Sequence, residues 1–596
     1  MDNREILTRF KNGTLERRHA VALLTGAPAA PPGPAARPAA AAAHPAPATA
    51  TVPATGTVPA AGPRAAAADA GADADAGAEP CAVIALHGRF PQAADLEAFW
   101  QAALEGRDTS GPAPDGRRQG GDPAGPGHFL DAVDAFDPEL FGIDPAEAAL
   151  IDPQERLLLE SAWQALEGAG YAGARLAGLT GADGAPRAVG VFTAVGPSAR
   201  TAPDSPAGLA AAPAHAAGRL SQLLDLRGPS QSVDTGGSSF LTALHLALAS
   251  LRAGECAAAL VAAADLRLHP ARQRPGSGEA VAAVLLKPLS AALADADPVH
   301  AVLLAGAVGH TGRGEPGPLR ERLVRRALTA ARVAAAEVGL TEDAETVAAC
   351  VGEAGAATGA AALARAVLQL HRATRLPEPG GPAEPAPWTG PAPRRALVGV
   401  HPAQAPHAVV LLQEAPPAAG PPAPPGAPPR DRAGELVLLS APTPAHLAAT
   451  ARRIADWLER PEAADHELSA VAGELRTGRA AMACRLALVA QDLPALAAAL
   501  AGFAEHGQAP GVRTADLHAA PGHPLLLDGL DETLAYVEAL WQGGRWEQLT
   551  RLWLGGLDVL TAAPAPGAGR VSSLPTSVLR PRPLGPASAA AQGGQR

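Results

Sequence analysis

Apolar runs and apolar stripes alternate along most of the chain. The run CAVIALHGRFP, starting at Cys81, predicts a buried strand. Asp152-Pro153-Gln154-Glu155 reads as a helix start, with Asp as cap and Pro at the first helical position. Leu157, Leu158, Leu159, Ala162, Trp163 and Leu166 follow at the spacing of a helix packed on a sheet. Ala188–Phe192 predicts another buried strand, and Leu241 to Cys256 an apolar helix. The segments LVAAADLRL, AVAAVLLKPLSAAL and VHAVLLAGAVGHTGR continue the alternation. Strands and helices taking turns in this way argue for an α/β layered fold. No internal repeat is visible in the sequence itself.

Polar and proline-rich stretches divide this pattern. Residues 1–26 predict a short helical, docking-like segment, with Ile6, Leu7 and Phe10 clustered and Thr14 able to cap LERRHAVALL. Residues 27–80 are mostly Ala, Pro, Thr and Gly, cannot bury a core, and read as a disordered linker. The main domain is assigned to 81–416. A Pro-rich linker, 417–434, separates it from a smaller α/β unit at 435–550 that opens with a strand over Leu436–Leu439 and a Pro-started helix. Residues 551–596 form a tail.

Composition narrows the function classes. The 596 residues carry a net charge of −11 and only 3% aromatics, with no long basic stripe, which argues against nucleic-acid binding. Lysine occurs only at Lys11 and Lys287, and heavy use of Arg, Ala, Gly and Pro reads as a GC-rich coding sequence. Cys81, Cys256, Cys350 and Cys484 are scattered without a CxxC pair, so neither zinc nor a disulfide framework is indicated. The N-terminus lacks a signal-peptide core, and no apolar run of membrane character occurs. The expectation is a soluble cytoplasmic protein with no bound cofactor or metal.

Val233-Asp234-Thr235-Gly236-Gly237-Ser238-Ser239-Phe240, followed by Ala243-Leu244-His245 and Ser250-Leu251-Arg252 with Gly254-Glu255-Cys256, resembles the active-site segment of modular polyketide synthase ketosynthases. In that family the pattern is VDTACSSSL, then ALH and SLR.GEC. The block from Phe129 to Tyr171 is similar to the family's FFGI.P.EA..MDPQ.R..LE..W.ALE.AGY, and Cys81 onward to its opening strand. LRTGRAAMACRLALV resembles the linker that follows such ketosynthases, and RVSSLPTSVL resembles the post-linker ending in LPTYPF, with Ser577-Val578 in place of Tyr-Pro. The N-terminal segment resembles those preceding ketosynthases of synthases without built-in acyltransferases. The resemblance implies a thiolase fold, αβαβα, with two related halves, followed by the α/β linker domain.

A condensing ketosynthase needs a thiolate at a helix N-terminus, two imidazoles and an oxyanion hole of backbone N–H groups. By resemblance, the family's nucleophilic Cys falls on Gly237. The loop bearing the first imidazole, HGTGT, is missing between Arg320–Gly339 and the following helix. The second imidazole falls on Glu353, and Arg365 takes the place of a later Lys. The gating loop loses its glycines in LVGVHPAQAPHAVVLLQEAP, where Pro402 and Pro406 remove donors and His401 and His407 replace a Phe and an Asn. His245 is expected to pack in the core, and His310 matches a loop position outside the triad. Ser238 and Ser239 are weak substitutes as nucleophile, since no base is apparent beside them, and His401 is a weak candidate for a new site.

The resulting expectation is a catalytically inactive ketosynthase-like component of a polyketide pathway, such as antibiotic biosynthesis. Its partners would be an acyl carrier protein, whose phosphopantetheine arm is a conceivable ligand, or a synthase module. A homodimer or ketosynthase heterodimer is implied by the resemblance. The alternatives are an acyltransferase or hydrolase with a site rebuilt around Ser238, Glu353 or His401, and a nonfunctional remnant.

Overall fold

The computed structural model describes residues 78–114, 125–197, 215–268, 272–377, 384–402, 405–417, 434–519, 531–563, 570–571 and 573–584. The docking-like segment, most of the Ala/Pro stretch before residue 78, and residues 418–433 lie outside the described residues.

Nine strands form the main sheet: β1 Cys81–Arg89, β2 Val189–Val195, β3 Ser230–Ser232, β4 Ala258–Asp265, β5 Ala280–Pro288, β6 Ala301–Gly309, β7 Leu340–Asp343, β8 Arg395–Val400 and β9 His407–Gln413. Their spatial order is β3-β2-β4-β5-β1-β6-β9-β8-β7. The order falls into two halves. From the middle outward, β1 pairs antiparallel with β5, β5 antiparallel with β4, and β4 parallel with β2, which is parallel to β3. In the second half β6 pairs antiparallel with β9, β9 antiparallel with β8, and β8 parallel with β7. The halves therefore share one pairing scheme, and the second lacks a counterpart to β3. The edge-to-edge pairing between them runs from Cys81–Val83 to Ala301–Leu303, and an isolated bridge links Ser277 to Glu353.

The principal helices of this domain repeat the same scheme: α1 Pro153–Gly168, α2 Ala216–Leu224, α3 Ser239–Arg252, α4 Pro316–Ala331, α5 Ala344–Val351 and α6 Thr358–His371. Strand side chains alternate between faces, so the buried clusters report the layers. Val83, Val261, Val284, Val398 and Val410 share one core with α3 and α6. Ile84, Val191, Leu260 and Leu285 turn the other way, onto α1 and α2. Ala305, Ala307 and Leu411 turn onto α4. The result is αβαβα layering with α3 and α6 at the centre, the thiolase fold. Helix α6 is buried at every position but its last, His371. Helix α5, which stands where the first half has α2 and β3, packs inward instead through Val347 and Val351.

The Asp152-Pro153-Gln154 start of α1 does more than cap. Asp152 Oδ1 accepts from Gln154 N at 2.8 Å, and Pro153 occupies the first turn. The buried Gln154 amide then donates to Gly196 O at 2.9 Å and accepts from Leu266 N at 2.9 Å, tying the ends of β2 and β4 together.

The smaller unit has three antiparallel strands, β10 Glu435–Ala441, β11 Cys484–Ala490 and β12 Arg513–Asp516. Helices α7 Pro444–Leu458 and α8 Leu493–His506 cover one face, and Trp541 and Trp553 cover the other. The tail then returns to the main domain. Arg570 bonds Asp297 at 2.9 Å and Glu474 at 2.7 Å, and Ser577 N donates to Glu167 at 2.9 Å. Asp137 in the main domain is fully buried, and its carboxyl is met by His446 Nε2 and by Arg580 N, both at 2.8 Å.

Candidate functional site

The two central helices begin alike. A 3₁₀ turn, Gly236–Ser238, leads into α3, and another, Gly355–Ala357, leads into α6. Gly236 and Gly355 sit at φ +62° and +50°, a conformation that favours glycine. A Cβ at Gly355 would also lie 2.1 Å from Asp265 Oδ2, so that glycine is required twice over. Asp265 is buried and holds the turn: Oδ2 accepts from Ala356 N at 3.0 Å, and Oδ1 pairs with Arg267 and Arg272 at 2.8 and 2.7 Å.

Gly237 is different. Its φ lies outside the left-handed region, and a Cβ there would meet only Pro402 Cβ at 3.7 Å and Cγ at 3.9 Å, ordinary contact distances. The backbone would accept a side chain at 237, so the missing thiol is not a steric necessity.

A cavity of about 160 Å³ brings together Gly237, Glu353 and His401, with Pro402, Arg320, Asp343 and Glu345 among the other lining residues. The first three and Pro402 are site positions legible in the sequence. Arg320 on α4, Asp343 at the end of β7 and Glu345 on α5 join them only in the structure. Asp343 ends the strand and caps α5 in the same step, accepting from Thr346 N and Oγ1 at 3.0 Å, so no loop intervenes between them. Burial would raise the Asp343 carboxyl, but the two Thr346 hydrogen bonds and the Arg320 charge hold it below the usual carboxylate range. Arg320 Nη2 stands 3.6 Å from Asp343 Oδ2.

His401 folds back over Gly399, where a Cβ would come within 2.7 Å of its Nε2. Burial, then the neighbouring Arg320 and His407, push its pKa down to about 4, against the pull of Asp343. It is therefore neutral at pH 7, and its Nδ1 is buried without a hydrogen-bond partner among the described residues. The His407 ring lies 5.2 Å away by centroids. The cavity thus offers three carboxyl side chains, one guanidinium and a neutral imidazole, a poor place for an anionic acyl substrate.

Ser238 and Ser239 are fully buried and spent on the turn. Ser238 Oγ donates to Thr235 O at 3.0 Å, and Ser239 Oγ donates to Gly236 O at 2.7 Å while accepting from Thr235 N at 2.8 Å. Neither lines the cavity. Glu353 is held through its backbone, with its N donating to Gly276 O at 2.9 Å and its O accepting from Arg267 Nη2 at 2.7 Å, while the side chain stays exposed. Arg365 is buried against Glu342 at 3.1 Å, a pairing within the fold. His245 packs near Gly306 of β6, and His310 Nδ1 accepts from Gly312 N at 2.8 Å.

No cysteine lines this cavity. Burial raises all four thiols: Cys81 to about 12 and Cys484 to about 11, with Cys256 and Cys350 also shifted upward. A nucleophilic thiol requires a shift in the opposite direction. Among the described residues no group of metal-ligating side chains is placed to hold an ion.

Residues 78–277 match the family "Beta-ketoacyl synthase, N-terminal domain", and residues 438–507 match the "RhiE-like, KS-MAT linker domain". The polyketide synthase PksM of Bacillus subtilis is 31% identical over 539 residues, 72% of this chain and 12% of PksM. The chain belongs to the ketosynthase family of modular polyketide synthases. The polyketide synthase ThaG of Burkholderia thailandensis is 39% identical over 308 residues, 44% of this chain and 5% of ThaG. The ketosynthase chain therefore spans only a small part of the curated relatives it matches. Among solved structures, the oxazolomycin ketosynthase domain OzmH KS7 of Streptomyces albus JA3453 shares 28% identity at TM-score 0.67, covering 85% of this chain and 98% of that one. The ketosynthase from module 6 of the Bacillus subtilis 168 bacillaene synthase, at 23% identity and TM-score 0.69, covers 85% and 99% and agrees in fold. No helix among the described residues is long and apolar enough to cross a membrane.

Proposed function

We propose that this ketosynthase-family chain works in polyketide biosynthesis without performing condensation, as a scaffold that binds an acyl carrier protein or an active synthase subunit. The observation that carries the reading is the cavity at Gly237. It holds no thiol, its lining includes Asp343, Glu345 and Glu353, and its one imidazole is neutral. Losing a covalent nucleophile costs on the order of 10⁶ in rate in a well-studied hydrolase, and here the chain lacks a replacement in position. The buried, self-satisfied Ser238 and Ser239 weigh against a rebuilt acyltransferase or hydrolase. A dimeric state, a phosphopantetheine arm as visiting ligand and a cytoplasmic location belong to the same proposal.

Incubation with acyl- and malonyl-carrier thioesters, followed by intact-protein mass spectrometry, tests it. The expected result is unmodified protein and no β-ketoacyl product. An acyl adduct on any residue, or released free acid above the uncatalysed rate, overturns it.

A further inference from the structure

A second and larger cavity, of about 390 Å³, lies at the other end of α5. Ala344, Glu345 and Ala348 of that helix line the Gly237 cavity, whereas Ala349, Cys350 and Val351 line this one. Its size is that of a small-molecule site. Pro91, Phe99, Ala102, Ala103, Val351 and Pro377 are buried and give it apolar walls. Gly106, Arg107, Asp108 and Ala349 are exposed and stand at its mouth.

The polar groups inside are few, and their hydrogen bonds fix their state. His128 is buried, and its backbone is clamped: its N donates to Ser277 O at 2.8 Å and its O accepts from Glu279 N at 3.0 Å. Thr109 Oγ1 donates its only proton to Cys350 O at 2.6 Å. It must therefore accept from His128 Nδ1, 2.7 Å away, which places the ring proton on Nδ1. Burial holds the His128 pKa below its usual value, so the ring is neutral at pH 7 and Nε2 is a bare acceptor. Nε2 has no hydrogen-bond partner among the described residues. The charges around it are met within the chain. The buried Arg365 guanidinium is taken up by Glu342 at 3.1 Å, Pro377 O at 2.8 Å and Cys350 Sγ at 3.7 Å. Arg107 pairs with Glu105 at 2.6 Å, and Asp108 Oδ1 accepts from Ser110 N at 2.8 Å. A charged ligand would lose its hydration here without gaining a free counter-charge.

We propose that this cavity binds a small uncharged alcohol, an apolar body carrying one hydroxyl that donates to His128 Nε2. The apolar walls take the body, and the single bare acceptor sets its orientation. The site does not depend on the Gly237 cavity, so its failure would leave the non-condensing reading intact.

The test titrates the full chain with n-octanol, octanoate and octyl methyl ether by saturation-transfer NMR. The expected outcome is octanol binding that is about fivefold or more tighter than that of the charged acid or of the ether, which lacks the donor. His128→Asn carries an amide that reaches the Nδ1 position and keeps the bond to Thr109, but it deletes Nε2. Octanol binding should weaken about tenfold in this variant, with thermal unfolding as a check that it is folded. Cys350 reports where the probe sits, since it lines the cavity and is partly exposed while the other three cysteines are buried. Its alkylation by iodoacetamide, followed by peptide mass spectrometry, should slow when octanol is added to the parent. No octanol binding, or octanoate or ether binding as tightly, overturns the proposal. So does equal octanol binding by the folded variant, or unslowed alkylation of Cys350 at saturating octanol. If His128→Asn does not fold, the ether comparison and the protection of Cys350 decide in its place.

Discussion

The two halves of the central sheet fold by one scheme and differ at their helix starts. Gly236 and Gly355 occupy equivalent turns at positive φ, and each leads into a central buried helix. Beyond that the halves part. The first keeps β3 and the outward-packed α2. The second has lost the strand, runs β7 directly into α5, and turns α5 inward. The comparison separates glycine that the backbone requires, at 236 and 355, from glycine that is only a missing side chain, at 237. It also separates what the fold requires from what chemistry requires. The packing of α3 and α6 is intact, while the cavity beside their starts holds no thiol.

The most severe way to break the comparison is at the residue that couples the halves. Asp265→Ala leaves Arg267 and Arg272 without their shared carboxyl and frees Ala356 N, so a loss of roughly 3–5 kcal/mol is expected from urea unfolding. The contrast between the glycines comes next. Gly355→Ala should cost about 2–3 kcal/mol through its positive φ and its clash with Asp265.

The outer helices differ in their response to pH. Helix α4 keeps its charges in solvent, whereas α1 buries Glu155, whose carboxyl burial pushes up to about 7 from 4.5, opposed by Arg219 at 3.1 Å. The folded state then holds a proton that the unfolded chain releases. Stability contributed at low pH is therefore lost as pH rises from about 4.5 to 7, by at most about 3 kcal/mol. Unfolding midpoints measured across that window should fall in the parent and fall less steeply in Glu155→Gln, with Glu474, also pushed up to about 7 by burial, supplying the remaining slope.

Gly237→Cys should change stability by less than about 1 kcal/mol, since the space is open. Under the proposed non-condensing reading, it should still yield no β-ketoacyl product with malonyl-carrier substrate. Condensation by this single variant would show that the rest of the site is intact. The smallest effect is spectroscopic: the His401 ring should titrate near pH 4 by NMR, and a midpoint near 6.5 would place it in solvent.

Much of this was legible in the sequence. The apolar runs at Cys81, Val189 and Leu436 and the Asp152-Pro153 helix start are local patterns, and local patterns determine local elements. Register against the family motif was enough to bring Gly237, Glu353 and His401 to one cavity, although they lie far apart in the chain. Arg320, Asp343 and Glu345 were not legible, because a charged residue at a helix or strand end has no periodicity to mark it. The duplicated halves were hidden for a related reason. What repeats is the sense of strand pairing and the burial of α3 and α6, and many different apolar residues satisfy both. The engagement of Ser238 and Ser239 within the turn depends on hydroxyl direction, which spacing does not specify.

The burial of Asp137 has a consequence for how the protein is made. This carboxyl belongs to the main domain and accepts from Leu140 N at 3.2 Å, yet its other partners are His446 in the smaller unit and the amide of Arg580 in the tail, 309 and 443 residues later. Buried carboxyls are costly until they are paired. A ribosome that has released only the first domain has therefore released this carboxyl without two of its three hydrogen-bond partners. Contacts of such sequence separation are slow to close, and a nascent chain of this kind spends most of its synthesis time incomplete. Sensitivity to truncation before Arg580 is the expected consequence of that one carboxyl.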